Sequence, residues 1–364
     1  MAAEFVLTGS GPVQLKKGSA MSEPTYSGIL THVVNGNDLS TTQARWAFDQ
    51  IMDGIWSEAQ VAGLLVGLAA KGETVDELTG ATETMRAHVI GVDTDGIDVV
   101  DTCGTGGTGI STFNISTAAG LVAAGAGAKV AKHGNRTSTR ASGSANVLAA
   151  MGVNIECDAQ TQTRCLKAAG ISFSFAVRHH PAMKYAMPVR KQLGVRTIFN
   201  VLGPLTNPAG ARRQVMGVPS DAMVPKIAGV LAALGAVRAM VVHSADGLDE
   251  ISTTAPATVA DLRDGKITMA TVDTTDLGLA KAKLDDLLID SAEASADVIR
   301  QVLSGKTGPD RDIVAVNAAA AIVVSGLADD LPTGLAKAVA SIDGGAAAAA
   351  LDQLIEVSNQ TPQK

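Results

Sequence analysis

The N-terminal quarter of the chain combines polar helix-start signals with apolar runs of helical spacing. Three capping boxes, in which Ser or Thr is followed three residues later by Gln or Glu, each precede an apolar run. They begin at Ser40, Ser57 and Thr74. The first two runs end at Gly54 and near Gly72, and glycine is a common residue at helix ends. The pattern predicts a small helical bundle.

From Ile97 onwards the pattern changes to short β-rich runs, each followed by small apolar residues with helical spacing. The clearest predicted strands are Ile97–Asp101, Lys129–Lys132, Val215–Val218 and Met240–His243. The clearest predicted helices are Ala145–Met151, Met223–Leu234 and Ile313–Leu327. This alternation predicts a larger α/β domain with a mostly parallel central sheet flanked by helices. Ligands of such folds bind at the carboxyl ends of the strands.

Composition excludes several classes of protein. Of 364 residues, 46% are apolar and 18% are charged, which excludes bulk disorder. No apolar run reaches the roughly 18 residues of a membrane span, and no signal peptide is evident. Three scattered cysteines argue against a disulfide framework or a zinc site. We therefore expect a cytoplasmic protein with no membrane partner. Residues 1–21 are expected to precede the first domain, as an added leader followed by the native start at Met21.

Charge is distributed unevenly along the chain. The formal net charge of −7 disfavours a general nucleic-acid surface, because an acidic chain repels phosphate backbones at long range. The segment from Thr102 to Ser220 nevertheless has thirteen Lys and Arg and only two acids, Glu156 and Asp158. Its net charge is therefore +11, whereas the rest of the chain carries −18. A basic centre in an acidic protein predicts a cleft that binds a polyanion.

A glycine-rich segment directly follows the first predicted strand. Its Gly104-x-Gly106-x-x-Gly109 spacing matches the dinucleotide-binding fingerprint, but the acid expected about 20 residues further on is absent. A Walker P-loop is excluded because no lysine follows the last glycine. One remaining interpretation is a general phosphate-binding loop, in which backbone N–H groups and a helix start at Asn114 bind an anion. The alternative is a tight turn without a ligand.

A second candidate loop, from Lys132 to Arg140, follows the next predicted strand. It contains three cations, several hydroxyls and no acid, and Ser144 follows closely. Arg presents a fork of donors to phosphate oxygens, and Lys presents a point charge. A solvated basic loop would explain one such segment by itself. Two donor-rich loops after neighbouring strands favour an extended phosphate ligand.

Acidic, histidine and arginine residues complete the candidate site. Asp249 and Glu250 follow a predicted strand, and adjacent carboxylates beside a phosphate site suit Mg²⁺, with an exposed acidic turn as the alternative. His179 and His180 could be metal ligands, but adjacent side chains usually diverge, so a binding-loop or structural role is favoured. Arg190 is a candidate for a substrate carboxylate, because a guanidinium can bind both carboxylate oxygens.

These motifs together resemble those of the anthranilate phosphoribosyltransferase family. The resemblance covers roughly residues 22–355. The segments that carry it occur in this order: Gly104-Thr-Gly-Gly107, Asn114-Ile-Ser-Thr117, Lys132-His-Gly-Asn-Arg136, Ser142-Gly-Ser144, Arg196-Thr-Ile-Phe-Asn-Val-Leu-Gly-Pro-Leu-Thr-Asn-Pro208 and Gly247-Leu-Asp-Glu250. In combination they are highly specific. One departure is Thr108, where relatives commonly have Asp. The missing carboxylate bears on metal affinity and on the geometry of the pyrophosphate, so no metal role is expected at this position.

The resemblance implies a pentosyltransferase that joins anthranilate to phosphoribosyl pyrophosphate (PRPP) and releases pyrophosphate, the second step of tryptophan biosynthesis from chorismate. It also implies Mg²⁺, with two ions per subunit, and a homodimer formed through the helical domain. That domain is expected to comprise residues 22–95 with a contribution from about 185–207. The α/β domain would comprise residues 96–184 and 208–364, with the active site at the hinge. No nucleic-acid partner is expected.

Roles of individual residues follow from the resemblance by position. PRPP would be bound by Gly104, Gly107, Thr108, Thr112, Asn114, Ile115, Ser116, Thr117, Lys132, His133, Gly134, Asn135, Arg136, Thr137, Ser138, Thr139, Arg140 and Ser144. Mg²⁺ would be bound by Ser116, Asp249 and Glu250. Anthranilate would be bound by Gly104, Asn135 and Arg190, with His180 on its access route. Because none of these is a clear general base, catalysis is expected to depend on positioning and on neutralising the leaving group.

Two other functions stay open at this point. A pyrimidine-nucleoside phosphorylase has the same architecture and a phosphate-plus-ribose site, although its Lys-x-Ser loop pattern differs from the sequence at Lys132–Arg136. Some relatives of this fold bind nucleic acid and have no transferase activity, and the +11 segment is compatible with that function.

Overall fold

A computed structural model of the protein describes residues 24–137 and 141–360. The predicted leader lies outside these residues, as do three of the predicted PRPP contacts, Ser138, Thr139 and Arg140. None of the helices in the two described ranges has both the length and the apolar character needed to cross a bilayer.

The N-terminal part of the described chain is a bundle of helices. Its members are α1 Tyr26–Val34, α2 Thr41–Met52, α3 Glu58–Lys71 and α4 Val75–Ala87. The three predicted capping boxes are present at the starts of α2, α3 and α4, and each satisfies N–H groups that the helix itself leaves unpaired. A cap of this kind contributes about 1 kcal/mol. Phe48, Leu64 and Leu68 are fully buried between the helices. The predicted helical bundle is therefore confirmed.

The α/β part contains, within the described residues, one sheet of seven strands in the order β3-β2-β1-β4-β5-β6-β7. The strands are β1 Val100–Gly104, β2 Val130–Gly134, β3 Ile171–Phe175, β4 Arg213–Gly217, β5 Arg238–Ser244, β6 Ala257–Arg263 and β7 Lys266–Val272. Strands β1 to β5 are parallel, and β6 and β7 extend the sheet in antiparallel fashion. The predicted mostly parallel sheet is confirmed.

Strand β1 begins and ends later than the predicted strand Ile97–Asp101 and extends into the glycine segment. It pairs with β4, and Gly104 lies opposite Gly217 in this pairing. A side chain at either glycine would collide with Asp249. The two glycines therefore allow the segment that contains Asp249 to lie across the ends of both strands.

Helices cover both faces of the sheet. They are α5 Ile115–Gly125, α6 Ser144–Ala150, α7 Ala159–Ala169, α8 Ala176–His179, α9 Met187–Leu193, α10 Phe199–Leu205, α11 Met223–Ala233, α12 Ala292–Leu303, α13 Pro309–Ser325, α14 Leu331–Asp343 and α15 Ala346–Ser358. The predicted helices over 145–151, 223–234 and 313–327 correspond to α6, α11 and α13. Because strand side chains alternate, Val215 and Val242 lie in a core with α5 and α13, and Met216 and Val241 in a second core with the bundle.

The segment formed by α9 and α10 packs with the N-terminal bundle although it lies far away in sequence. Val189 and Leu202 are buried in the same core as Phe48. The rings of Phe48 and Phe199 lie 5.6 Å apart at an interplanar angle of 62°, an edge-to-face arrangement. This packing holds the segment beside the strand ends, where its polar residues reach the cavities described below. The domain boundaries stay a prediction.

Candidate active site

Two adjoining cavities lie at the carboxyl ends of the parallel strands, the usual ligand position in such sheets. The first cavity has a volume of about 540 Å³ and the second of about 620 Å³. Their shared wall consists of Cys103, Gly104, Thr105, His133, Gly134, Asn135, Arg136 and Asn200. The cavities are therefore two compartments of one site.

The first cavity is built on the glycine segment that follows β1. Gly106, Gly107 and Gly109 have φ angles of 64°, 80° and 75°, a left-handed conformation that favours glycine. The Gly106 N–H donates to Oδ2 of Asp249 at 3.0 Å. The start of α5 also lines the cavity, through Phe113, Asn114, Ile115 and Ser116. Backbone N–H groups at a helix start favour an anion, so the predicted phosphate-binding character of this segment agrees with its geometry.

Lys132 lines the first cavity from the end of β2 but is only 2% exposed. Its ammonium donates to the carbonyl of Thr102 and to Oγ of Ser116, the latter at 3.2 Å. Burial lowers the pKa of Lys132, and the negative charge of Asp101 opposes that change. The sequence predicted a cation that points at a phosphate. The structure instead places this charge in the wall of the cavity, where it is bonded to a residue of the α5 start.

Asp249 and Glu250 line the same cavity from the turn after β5. Asp249 is 6% exposed, so the alternative of an exposed acidic turn is wrong for this residue. The carboxylates therefore face the same space as the glycine segment and the start of α5.

Hydrogen bonds hold the acidic turn from two directions. Asp246 accepts from the Leu248 N–H at 3.1 Å and from the Ser252 hydroxyl at 2.6 Å. Asn317 of α13 accepts from the Ile251 N–H at 2.9 Å and donates to the Ile251 carbonyl at 2.9 Å. Asn317 is a buried polar residue in a run of buried apolar ones, and it satisfies both backbone groups of the residue next to the acid pair.

The oxygen atoms around the first cavity suit Mg²⁺ if a substrate supplies further ligands. Asp249, Glu250 and Ser116 bring two carboxylates and one hydroxyl to a common space, and Mg²⁺ prefers such oxygen ligands. No group of three or more His, Cys, Asp or Glu that could hold a metal ion occurs in the part of the chain that the structure describes. The set therefore fits Mg²⁺ when phosphate oxygens of a substrate complete the ligands.

The second cavity is lined mainly by apolar groups. They include Met85, Ala176, Val177, Pro181, Met183, Met187, Phe199 and Pro204. Arg190 lies among them, with its guanidinium carbon 5.5 Å from the centre of the Phe199 ring, and its Nη1 donates to Sδ of Met187 at 3.5 Å. Burial lowers the pKa of Arg190, but an arginine stays charged under such conditions. A mainly apolar cavity with the half-buried guanidinium of Arg190 suits a flat apolar ring that carries a carboxylate.

One histidine, His133, belongs to the shared wall, and a second, His180, lines the second cavity. Nε2 of His180 lies 3.3 Å from Nε2 of His133. Burial, and secondarily the neighbouring histidines, lower the pKa of His133 to about 3 and that of His180 to about 4, so both rings are neutral at pH 7. His179 faces other partners, Ile90 and Gln162, at 2.6 Å and 3.0 Å. The adjacent histidines thus diverge, which agrees with a binding or structural role.

Most of the predicted site residues within the described ranges meet in these cavities. The first cavity contains Gly104, Gly107, Thr112, Asn114, Ile115, Ser116, Lys132, His133, Gly134, Asn135, Arg136, Thr137, Ser144, Asp249 and Glu250. The second contains Gly104, Asn135, His180 and Arg190. Thr108 and Thr117 line neither cavity. Thr117 is fully buried, and the Thr108 hydroxyl accepts from the Ile110 N–H at 3.3 Å.

Sequence reasoning gave no role to two cavity residues that α9 and α10 bring to the site. Arg196 lines the first cavity, and Asn200 lines both. Asn200 accepts from the Thr197 N–H at 2.9 Å, which fixes the start of α10. Both residues belong to the run Arg196-Thr-Ile-Phe-Asn200, one of the segments on which the family resemblance rests. The motif is visible in the sequence. Its contact with the glycine segment is not, because that contact arises only when the fold brings the two distant segments together.

The fold and site define a class of protein. Residues 27–89 match the helical bundle domain of the glycosyl transferase family, and residues 96–348 match the a/b domain of the same family. The two matches cover most of the chain and follow each other in the order of the observed architecture. The chain therefore has both parts of this transferase fold.

Individual relatives narrow the class. The chain is 51% identical over 326 residues to anthranilate phosphoribosyltransferase of Anaeromyxobacter sp. (strain K), covering 90% of this chain and 96% of the relative. The crystal structure of the enzyme from Thermus thermophilus superimposes with a TM-score of 0.86 at 36% identity, covering 91% of this chain and 99% of that one. The Saccharomyces cerevisiae enzyme in complex with PRPP and Mg gives 0.84 at 26% identity, covering 93% and 98%. The chain belongs to the anthranilate phosphoribosyltransferase family.

Proposed function

We propose that the protein transfers the 5-phosphoribosyl group of PRPP to the amine of anthranilate and releases pyrophosphate, the second step of tryptophan biosynthesis from chorismate. The observation that supports this most strongly is the pair of adjoining cavities. One is lined by glycines, hydroxyls, cations and an acid pair, and the other mainly by apolar groups with the half-buried Arg190 among them. These are the requirements of a sugar phosphate and of an aromatic acid, and the shared wall would bring their reacting atoms together.

PRPP is assigned to the first cavity and anthranilate to the second. The glycine segment, the start of α5 and the loop after β2 would bind the phosphates through N–H groups, hydroxyls and Arg136. Arg190 would bind the anthranilate carboxylate from its position over Phe199. Asn135 and Gly104 lie in the shared wall, where the amine would approach C1 of the ribose, and His180 would lie on the access route.

The reaction exchanges one bond at C1 of the ribose for another. The C1–oxygen bond to pyrophosphate breaks as the C1–nitrogen bond to the amine forms, through an oxocarbenium-like state, and the new arylammonium loses one proton to water. His133 and His180 have lowered pKa values and are weak bases, so a strong general base is no part of the proposal. The residues around the cavities would act by positioning both substrates and by stabilising the charge of the leaving group.

Mg²⁺ is proposed as the cofactor, with Asp249, Glu250 and Ser116 as its protein ligands and two ions per subunit. When bound, the metal supplies positive charge that neutralises the departing pyrophosphate. A homodimer formed through the helical bundle and a cytoplasmic location are also proposed. The proposed domains are residues 22–95 with about 185–207, and residues 96–184 with 208–364.

The direct test is the loss of anthranilate fluorescence when the purified protein is mixed with anthranilate, PRPP and Mg²⁺. We expect a loss that needs all three components and releases one pyrophosphate per anthranilate consumed. Two parallel reactions separate the alternatives: a pyrimidine nucleoside with phosphate, and an oligonucleotide titrated at increasing salt. Phosphorolysis or salt-sensitive oligonucleotide binding without loss of anthranilate would contradict the proposal.

A further inference from the structure

Arg196 lies between α9 and α10, on the segment that packs with the helical bundle, and its side chain reaches the glycine segment. A Cβ added at Gly107 would lie 2.6 Å from Cζ and 3.1 Å from Nη2 of Arg196. The guanidinium is therefore in direct contact with the Gly107 backbone. Gly107 thus has two reasons to be glycine, its φ of 80° and the space that this guanidinium occupies.

The charge of Arg196 is unpaired within the described residues, where it forms no hydrogen bond or ion pair. Some cations of the basic central segment, by contrast, have carboxylate partners. Arg213 pairs with Asp98 at 2.6 Å, and Arg178 pairs with Glu156 at 3.3 Å. Arg196 is exposed and lines the first cavity. An arginine that faces an anion-binding cavity and has no internal partner is available to a ligand.

The position of Arg196 indicates which part of the ligand it would contact. The guanidinium contacts Gly107, and the neighbouring Gly106 N–H donates to Asp249 of the acid pair. This is the end of the first cavity to which pyrophosphate is assigned, because the acid pair lies there. Arg196 does not line the second cavity, unlike Asn200, which lines both. Its contact would therefore be with phosphate and not with the aromatic acid.

We propose that Arg196 binds the pyrophosphate group of PRPP and remains bound to it as it leaves C1. This rests on the proposed function for the identity of the ligand. A guanidinium can offer two parallel N–H donors to phosphate oxygens, a geometry that a lysine ammonium cannot provide. Arg196 lies on the segment that packs with the helical bundle. A pyrophosphate bound to both Arg196 and the glycine segment would therefore connect these two parts of the site.

The test uses Arg196→Gln, Arg196→Lys and the control Lys191→Gln, which removes an exposed cation of the same segment that lines neither cavity. Titration calorimetry measures the binding of inorganic pyrophosphate with Mg²⁺, and steady-state kinetics gives the KM of each substrate. Arg196→Gln is expected to weaken pyrophosphate binding by about 10- to 100-fold and to raise the KM of PRPP but not of anthranilate. Arg196→Lys should lose less of the affinity for pyrophosphate, and Lys191→Gln should behave as wild type.

Several results would overturn the proposal. They are unchanged pyrophosphate binding in Arg196→Gln, an equal rise of both KM values, or the same loss in Lys191→Gln, which would indicate bulk charge. If Arg196→Gln does not fold, Arg196→Lys decides by the same measurements. Wild-type protein without turnover, together with weaker pyrophosphate binding in Arg196→Gln, would contradict the proposed function and leave the assignment of Arg196 intact.

Discussion

The two cavities share a wall but are built in different ways. The first is shaped mainly by backbone: glycines with positive φ, the start of α5 and a hydrogen-bonded acidic turn. The second is shaped by side chains from the bundle, α9 and α10, with Met85 and Phe199 near Arg190. Phosphates are matched by fixed N–H groups and charges, whereas an aromatic ring is matched by apolar area with one polar group to orient it. Each cavity therefore suits the chemistry of one of the two proposed substrates.

The largest effect is expected from neutralising the acid pair in the first cavity. Asp249→Asn combined with Glu250→Gln should lower turnover about 100- to 1,000-fold at ordinary Mg²⁺ concentrations, because the charge on the leaving group is no longer stabilised. The measurement is the anthranilate fluorescence assay at fixed Mg²⁺. The matched control is Asp285→Asn, an exposed acid outside both cavities. An undiminished rate in the double variant would refute the metal assignment.

The next largest effect concerns the second cavity alone. Arg190→Ala should raise the KM of anthranilate about 10- to 100-fold, because the carboxylate loses a charged partner in an apolar surrounding. The KM of PRPP should change little, since Arg190 does not line the first cavity. Steady-state kinetics with each substrate varied in turn measures the split. Equal rises in both constants would show that the cavities do not separate the substrates as proposed.

Local and short-range features of the fold were predictable from the sequence. The capping boxes at Ser40, Ser57 and Thr74 are decided within one helical turn, and each is found in the structure. The β6–β7 hairpin was missed although a signal existed. Its turn is Asp264-Gly265, with φ of 51° and 77°, and Asp-Gly is a strong hairpin signal.

Features that depend on distant contacts could not be predicted. The extension of β1 to Gly104 depends on pairing with Gly217 and on the space that Asp249 needs above both. The contact between Arg196 and Gly107 requires α9 and α10 to pack with the bundle. The burial of Lys132 depends on Thr102 of the neighbouring strand and on the start of α5. The sequence thus indicated which residues form the site but not how they are oriented.

A smaller effect is expected from the support of the acidic turn. Asn317→Leu would leave the N–H and carbonyl of Ile251 without their partners and should lower the free energy of unfolding by about 2 to 4 kcal/mol. It should also raise the Mg²⁺ concentration for half-maximal activity and leave the KM of anthranilate unchanged. Urea unfolding and a Mg²⁺ titration measure the two effects. Lost stability with an unchanged Mg²⁺ requirement would show that Asn317 serves the fold alone.

The smallest effect of a single residue concerns His133 in the shared wall and His180 in the second cavity, whose folded-state pKa values are about 3 and about 4. Unfolded histidine titrates near 6.5, so below that pH the unfolded state binds more protons and stability falls as the pH falls towards 4. Between pH 6.5 and 5 each ring should lower the free energy of unfolding by about 2 kcal/mol. Urea unfolding at pH 7 and pH 5 tests this, and His180→Asn should make the protein less sensitive to pH. A His180→Asn variant with the same pH dependence as wild type would show that the His180 ring is not buried in neutral form, and that this part of the second cavity is more open to water than the structure indicates.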